Sequence, residues 1–190
     1  TCALPISFLG KTLSQIDETL NIRVERESKN YLRTYVSRML KLSTTHLEDI
    51  EEFNKANISI KTIRINVKGK NKESVSFPAF NFKELAVEDW ETSSVRDYFE
   101  TTKILFVVFD EVNEDRKEYI FRKVMLWNMP ISDLDNQVKL VWKKTKQILN
   151  SNLMISVKNS QVLNNFPKSK DNLVSDRKST RLNSSHGIIS

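Results

Sequence analysis

The stretch Glu52-Phe-Asn-Lys-Ala-Asn-Ile-Ser-Ile-Lys-Thr-Ile-Arg-Ile-Asn-Val67 passes within a few residues from a polar, acidic approach into a β-branched run. From Ile58 onward the two-residue period of a strand sorts the side chains. Ile58 and Ile60 point one way. Ser59, Lys61, Ile63, Ile65 and Val67 point the other. Glu52 stands seven residues ahead of Ser59, and Lys61 shares Ser59's face. Lys68-Gly-Lys-Asn-Lys72 then closes the strand as a turn in which Gly69 can take a positive φ.

Working outward, Ser74 to Phe82 reads as extended and carries Phe77, Phe80 and Phe82, and Val95 to Phe99 is the helical part of a mixed segment. Ile104-Leu-Phe-Val-Val-Phe109 is a continuous apolar run, the mark of a strand covered on both faces. A charged turn, Asn113 to Lys117, joins it to a second strand, Tyr119 to Trp127, so the two predict a hairpin. Pro130 ends the hairpin, and Ser132 is expected to cap a long helix reaching about Asn150. Its buried stripe would be Ile131, Leu134, Val138, Val141, Trp142, Thr145, Ile148 and Leu149. Leu153 to Val157 reads as a last strand. Upstream, Thr12 and Gln15 form a capping box ahead of Leu13, Ile16 and Leu20. A second helix is expected over Asn30 to Leu42, with Leu32, Tyr35, Val36, Met39 and Leu40 on one stripe. Thr44 to Asn57 reads as a loop with a short helical turn. This order predicts a mixed α/β domain, a central mixed β-sheet flanked by helices.

The chain has 190 residues, with 30 Lys and Arg against 24 Asp and Glu and a net charge of +6. No apolar run approaches the roughly 20 residues of a membrane-spanning helix. The single cysteine, Cys2, excludes a disulfide framework and a cysteine-built zinc site, and three glycines exclude most phosphate-cradling loops. The opening, residues 1–6, and the close, residues 176–190, resemble translated sequencing adaptors. The native domain is expected over 7–175, truncated at its C-terminal end, with the closing stretch disordered. Arg177, Lys178 and Arg181 against Asp176 carry two net positive charges, so the remainder holds +4 and one histidine, His46. That residue supply argues against a Ser-His-Asp or Cys-His catalytic site. The near absence of cysteine fits a reducing cytoplasm.

The layout of Glu52 and Ser59-x-Lys61 resembles the one that nucleases of the restriction-endonuclease fold use for metal-dependent phosphodiester hydrolysis. An acid at a strand's approach and a second acid within the strand can hold Mg²⁺, while a lysine two residues on polarises the nucleophile. Here the strand position is Ser59, a neutral and weak ligand for a hard cation. The same pattern is met on the solvated edge of an ordinary strand, so by itself it leaves both readings open.

The stretch Phe53-Asn-Lys-Ala-Asn-Ile-Ser-Ile-Lys-Thr-Ile63 resembles the signature strand of the MutH family. Trp90-Glu-Thr-Ser-Ser-Val-Arg96, followed by the strand Ile104 to Phe109, is similar to that family's next motif, and Gly10-Lys-Thr-Leu13 to its N-terminal helix start. Lys72-Glu-Ser-Val-Ser-Phe77, Ala79-Phe-Asn-Phe-Lys-Glu-Leu-Ala86 and Met129-Pro130 bring the resemblance closer to one branch, the C-terminal, non-cutting domain of staphylococcal GATC-cutting type II restriction endonucleases. It covers roughly residues 10–165. It implies a restriction-endonuclease-like fold and duplex DNA containing GATC as partner. The family's catalytic Asp falls on Glu52, its strand Glu on Ser59, its Lys on Lys61, and its helix Glu near Ser37 or Arg38. Two of three acidic positions are thus absent. The resemblance therefore implies a catalytically degenerate effector domain, without metal of its own. Mg²⁺ would belong to an N-terminal catalytic domain outside this chain, with dimerisation on DNA left open. Two alternatives stand beside it. One is an active Mg²⁺-dependent nuclease using Glu52, Lys61 and Glu51 or Glu48; the other is a dimerisation module that binds no DNA.

The DNA-binding candidates are Lys61, Lys68, Lys70, Lys72 and Arg96. The three turn lysines are placed beside the degenerate site, as phosphate contacts or as an ordinary solvated turn. Arg96 would reach DNA or pair with Glu91 or Asp97. Lys139, Lys143 and Lys146 share a helical face that reads as solvated. Trp90, Trp127 and Trp142 read as core, and His46 as a loop residue without chemistry. Base-reading residues are expected partly beyond Val174.

Overall fold

The computed structural model describes residues 5–28, 30–42, 51–73, 75, 77–113, 117–158 and 161–167. It divides into two compact units, Thr1–Glu73 with Thr102–Trp127, and Ser74–Thr101 with Asn128–Ser190.

The first unit holds helices α1 (Leu13–Leu20), α2 (Tyr31–Met39) and α3 (Glu51–Lys55) and strands β1 (Ile58–Ile65), β2 (Lys103–Glu111) and β3 (Tyr119–Trp127). The sheet order is β1-β2-β3. β1 runs parallel to β2, with Ser59 beside Ile104 and Lys61 beside Phe106. β2 runs antiparallel to β3. The expected hairpin and mixed sheet are therefore present. Every residue of Ile104–Phe109 is buried, as a central strand requires. The parallel pair needs a long crossover, and residues 66–102 supply it.

One sheet face presents Ile60, Leu105, Val107, Phe109 and Phe121 to the apolar stripes of α1 and α2, with Leu13, Ile16, Tyr35 and Val36 fully enclosed. Gly10–Thr12 continues the sheet beyond β3: Gly10 N–H donates to Phe121 O at 2.8 Å and Phe121 N–H to Lys11 O at 2.9 Å. The capping box forms as expected, with Gln15 N–H donating to the Thr12 hydroxyl at 3.2 Å and Thr12 N–H to Gln15 Oε1 at 2.9 Å. α2 stops short of Leu42 because Lys41 turns left-handed at φ 56°, and Leu42 N–H closes on Ser37 O at 2.9 Å. The loop expected over Thr44–Asn57 yields α3 at its end; its residues 44–50, His46 and Glu48 among them, lie outside the described residues.

A charged hub ties α1, the segment behind it, α2 and the residue just ahead of β3. Arg26 donates to Asp17 at 3.0 Å and to Glu118, the Tyr35 hydroxyl donates to Asp17 at 2.8 Å, and Ser14 N–H donates to Glu118 at 2.9 Å. Burial pushes the Glu118 carboxyl up, but the Ser14 N–H and the Arg26 guanidinium outweigh it and hold the group below its ordinary 4.5. A depressed carboxylate stabilises the fold above its unfolded value and loses that contribution as pH falls through the folded one. Denaturant titrations of Glu118→Gln are expected to lie below wild type at pH 7 and to converge with it in acid.

The second unit carries α4 (Phe82–Val87), α5 (Ser94–Thr101), α6 (Ile131–Asp133), α7 (Lys139–Gln147) and a separate two-stranded hairpin, β4 (Ile155–Lys158) with β5 (Gln161–Asn164). The extended segment expected through Phe82 ends one residue sooner, since Asn81 Oδ1 accepts from Lys83 N–H at 2.9 Å and starts α4. The long helix is present but not uniform. Residues Leu134–Val138 and Ile148–Asn152 are π turns flanking α7. Its cap is Pro130, not Ser132, and Ile131 is 59% exposed, so both depart from expectation. Leu134, Val138 and Trp142 keep the buried stripe at a spacing of four, which the wider π turn accommodates.

Candidate nucleic-acid interface

Ser59 and Lys61 lie on the sheet face opposite Ile60. Across the ladder Ser59 meets Ile104 and then Trp127, and Lys61 meets Phe106 and then Met125. Directly paired residues share a face, so these are the side chains surrounding the X-x-Lys triplet within the sheet. The Phe106 and Trp127 rings lie 5.9 Å apart. No carboxylate stands in either row. Glu52 lies in α3, ahead of β1. Among the described residues no group of three or more His, Cys, Asp or Glu could hold a metal ion. The Ser59 hydroxyl is a poor ligand for Mg²⁺, which needs anionic oxygens.

The same face holds a further lysine, one that no sequence pattern singles out. Lys123 pairs with Val108, which pairs with Ile63. Burial and then the Arg122 charge hold its amine below the ordinary value, against the pull of Asp110. A β-bulge between Val108 and Phe109 puts Phe121 and Val124, three residues apart, on the core side. Strict alternation breaks there, which hides Lys123 from a period-two reading.

The turn after β1 is a fixed finger. Asn66 Oδ1 accepts from Lys68 N–H at 3.0 Å and Lys70 N–H at 2.9 Å, Gly69 sits at φ 73°, and Asn66 N–H donates to Lys70 O at 2.8 Å. Lys68 and Lys70 are exposed at its tip. At about 3.3 Å per residue, the seven steps from Ser59 to Asn66 span about 23 Å. The turn lysines therefore stand a strand's length from Ser59, not beside it, because the turn prolongs β1. Lys72 behaves differently. Its amine pairs with Glu111, whose side chain is 2% exposed, and lies 6.0 Å from the Tyr119 ring centroid. At the base of the finger Arg64 grips Glu73 with two hydrogen bonds, 2.8 and 2.7 Å.

Arg96, in the second unit, pairs with neither Glu91 nor Asp97. It donates to Asp135 at 2.5 Å and to Glu100 at 3.1 Å, with its guanidinium 5.7 Å from the Trp90 ring centroid. The Trp90 indole N–H, at 3.1 Å, and Arg96 together hold the Asp135 carboxyl below its usual range. Lys139 pairs with Glu91 at 3.3 Å, and Lys146 lies 5.1 Å from the Trp142 ring centroid. Lys139 is also 5.8 Å from the Trp90 ring centroid, so both lysines cover tryptophans of this unit, while Lys143 is exposed. Trp90, Trp127 and Trp142 are buried, as their reading as core requires.

The mixed sheet, with β1 parallel to β2 and carrying the Ser59-x-Lys61 triplet behind α3, fits the restriction-endonuclease-like frame that the resemblance implies. The comparisons agree. A family model for the DNA mismatch repair enzyme MutH matches residues 43–140, which contain α3 and all three strands of the main sheet. The chain is 32% identical over 183 residues to the type II restriction enzyme Sau3AI of Staphylococcus aureus, an alignment covering 88% of this chain and 37% of that enzyme. The chain belongs to the MutH family, and its fold is restriction-endonuclease-like. It spans about 37% of the length of the curated relative it matches. No helix among the described residues is long and apolar enough to cross a membrane.

Proposed function

We propose that this is a DNA-binding, catalytically degenerate MutH-like domain of a GATC-specific type II restriction endonuclease. In this reading it acts as an allosteric effector for a separate catalytic domain that carries the Mg²⁺ site, and needs no metal itself. The observation that carries it is the sheet face around Lys61. Ser59 occupies the strand position where a metal-binding acid is needed, and Ile104, Phe106, Met125 and Trp127 fill the neighbouring positions. A nuclease scaffold that lacks two of its three acids retains what the fold offers besides chemistry, which is a surface for duplex DNA. Lys68 and Lys70, held out on their finger, are the phosphate contacts of this reading.

Two measurements test it. Incubated with GATC-containing plasmid and Mg²⁺, the domain is expected to leave the DNA intact; cutting abolished by Lys61→Ala would establish an active nuclease instead. In a gel shift, a GATC duplex is expected to bind more tightly than a scrambled duplex at every salt concentration. Equal affinity would remove sequence recognition, and no binding to either would favour a dimerisation module. Lys68→Ala/Lys70→Ala is expected to weaken both duplexes alike and to reduce the log–log salt slope by about 1.8, at about 0.9 for each phosphate no longer neutralised.

A further inference from the structure

Four arginines among the described residues are provided with acids. Arg26 has Asp17 and Glu118, Arg64 has Glu73, Arg96 has Asp135 and Glu100, and Arg122 has Asp110. Arg23 and Arg38 are both exposed, and neither has an acidic partner among the described residues. Yet they line one and the same groove in the first unit, between α2 and the segment that follows α1. The hydroxyl residues Ser28 and Thr34 line it too. Thr34 and Arg38 are four residues apart on α2, so they lie one above the other on the same helix face.

The groove wall bearing Arg23 is pinned on both sides. Asn21 turns left-handed at φ 50° and Ile22 N–H closes on Asp17 O at 3.0 Å. Val24 packs against the main core, and Arg26 is locked into the hub with Asp17 and Glu118. The segment is therefore ordered before any ligand arrives, which lowers the entropic cost of binding. Guanidinium groups and hydroxyls lining one concavity are the donor set that grips a phosphate, with arginine supplying paired, permanently charged donors.

Glu25 lines the same groove, and its charge narrows the ligand class. Two arginines and one carboxylate leave a site charge of +1. That matches a phosphodiester, which carries a single negative charge, better than a phosphomonoester, which carries nearly two at neutral pH. We infer that this groove is a phosphodiester-binding site that takes one backbone phosphate of the bound duplex, gripped by Arg23 and Arg38. The inference rests on the DNA-binding reading above and assigns it a second contact zone, separate in sequence from the Lys68–Lys70 finger.

The test is duplex binding by fluorescence anisotropy across a salt series, for wild type, Arg23→Ala/Arg38→Ala and Lys68→Ala/Lys70→Ala. Both arginines are exposed, so the variant keeps its fold, checked by its thermal unfolding midpoint. Arg23→Ala/Arg38→Ala is expected to weaken GATC and scrambled duplexes alike, by about tenfold, and to flatten the log–log salt slope by about 0.9. Arg38→Lys is expected to keep the slope but only part of the affinity, since it preserves charge without the forked donors. Wild-type affinity and slope in the arginine variant, with a loss in the lysine variant, would overturn the groove while leaving DNA binding intact. Should wild type bind no duplex, amide NMR with diethyl phosphate and with inorganic phosphate decides. Shifts at Arg23 and Thr34 stronger with the diester, and absent from the arginine variant, would keep the site as one for a free diester. Stronger shifts with inorganic phosphate, or none with either, would overturn it.

Discussion

Lys72→Met is expected to destabilise the domain by about 2 kcal/mol, below the roughly 3–5 kcal/mol typical of breaking a fully buried pair because the lysine itself is partly exposed. The Glu111 side chain is 2% exposed and that of Lys72 35%. The carboxylate is thus the enclosed partner, and removing the amine strands a charge that water cannot reach. Among the described residues the Tyr119 hydroxyl, at 3.4 Å, is its remaining donor, a long neutral bond that replaces little of an ion pair. Lys72→Met/Glu111→Leu is expected to recover most of the loss, since an apolar pair of similar volume removes the stranded charge along with its partner. Urea unfolding of the two variants checks the order. A double variant no more stable than the single one would mean that Glu111 is solvated and the pair a surface contact. The same series decides what Lys72 does for DNA. If the lysine acts through the fold, duplex affinity returns in the double variant; a phosphate contact would be missing from both.

The difference between Lys72 and its two neighbours on the turn shows where the sequence is readable and where it is not. Local patterns are legible because their causes are local: the capping box at Thr12, the turn at Gly69, the apolar run Ile104–Phe109 and the strand period that puts Ser59 and Lys61 on one face. The family resemblance makes the restriction-endonuclease-like fold legible as well. Partner choice is not, because it depends on which strand ends meet. Lys72 reads as one of three equivalent turn lysines until the chain returns past Arg64, where Lys72 N–H donates to Arg64 O at 2.9 Å and its amine reaches Glu111. Arg96 finds Asp135, which is distant in sequence, rather than Glu91 or Asp97 nearby. Lys123 is hidden by a bulge, and Ile131 falls out of its stripe ahead of a π turn. Arg23 and Arg38 carry no motif at all; only the groove joins them. The side-chain partners that escape the sequence are non-local, while what it shows are periods, caps and strand faces, though the cap expected at Ser132 falls on Pro130.

The largest single loss of stability is expected at the centre of the sheet. Phe109 is fully buried on β2, faces α1 and α2 with Leu105 and Val107, and packs against Phe121 with ring centroids 5.5 Å apart. It also sits where the β2–β3 register shifts, so its neighbours are fixed by a backbone irregularity as well as by packing. Such a site collapses poorly onto a void. Phe109→Ala is expected to cost about 4 kcal/mol, the transfer energy of the ring plus the cavity left behind. That lowers the unfolding midpoint by about 8–16 °C for a chain of this size. Phe109→Leu, which keeps most of the volume, is expected to cost about 1–2 kcal/mol. Calorimetry of the two variants checks both values. A cost under about 1 kcal/mol for alanine would mean that the helices reseat on the sheet and that the bulge is not rigid. Well below its unfolding midpoint the alanine variant is expected to bind duplex DNA as wild type does, since neither the Lys68–Lys70 finger nor the Arg23–Arg38 groove draws a side chain from β2. A DNA defect that persists in the folded Phe109→Ala domain would instead tie the interface to the packing beneath the sheet, and the surface reading of binding would fail with it.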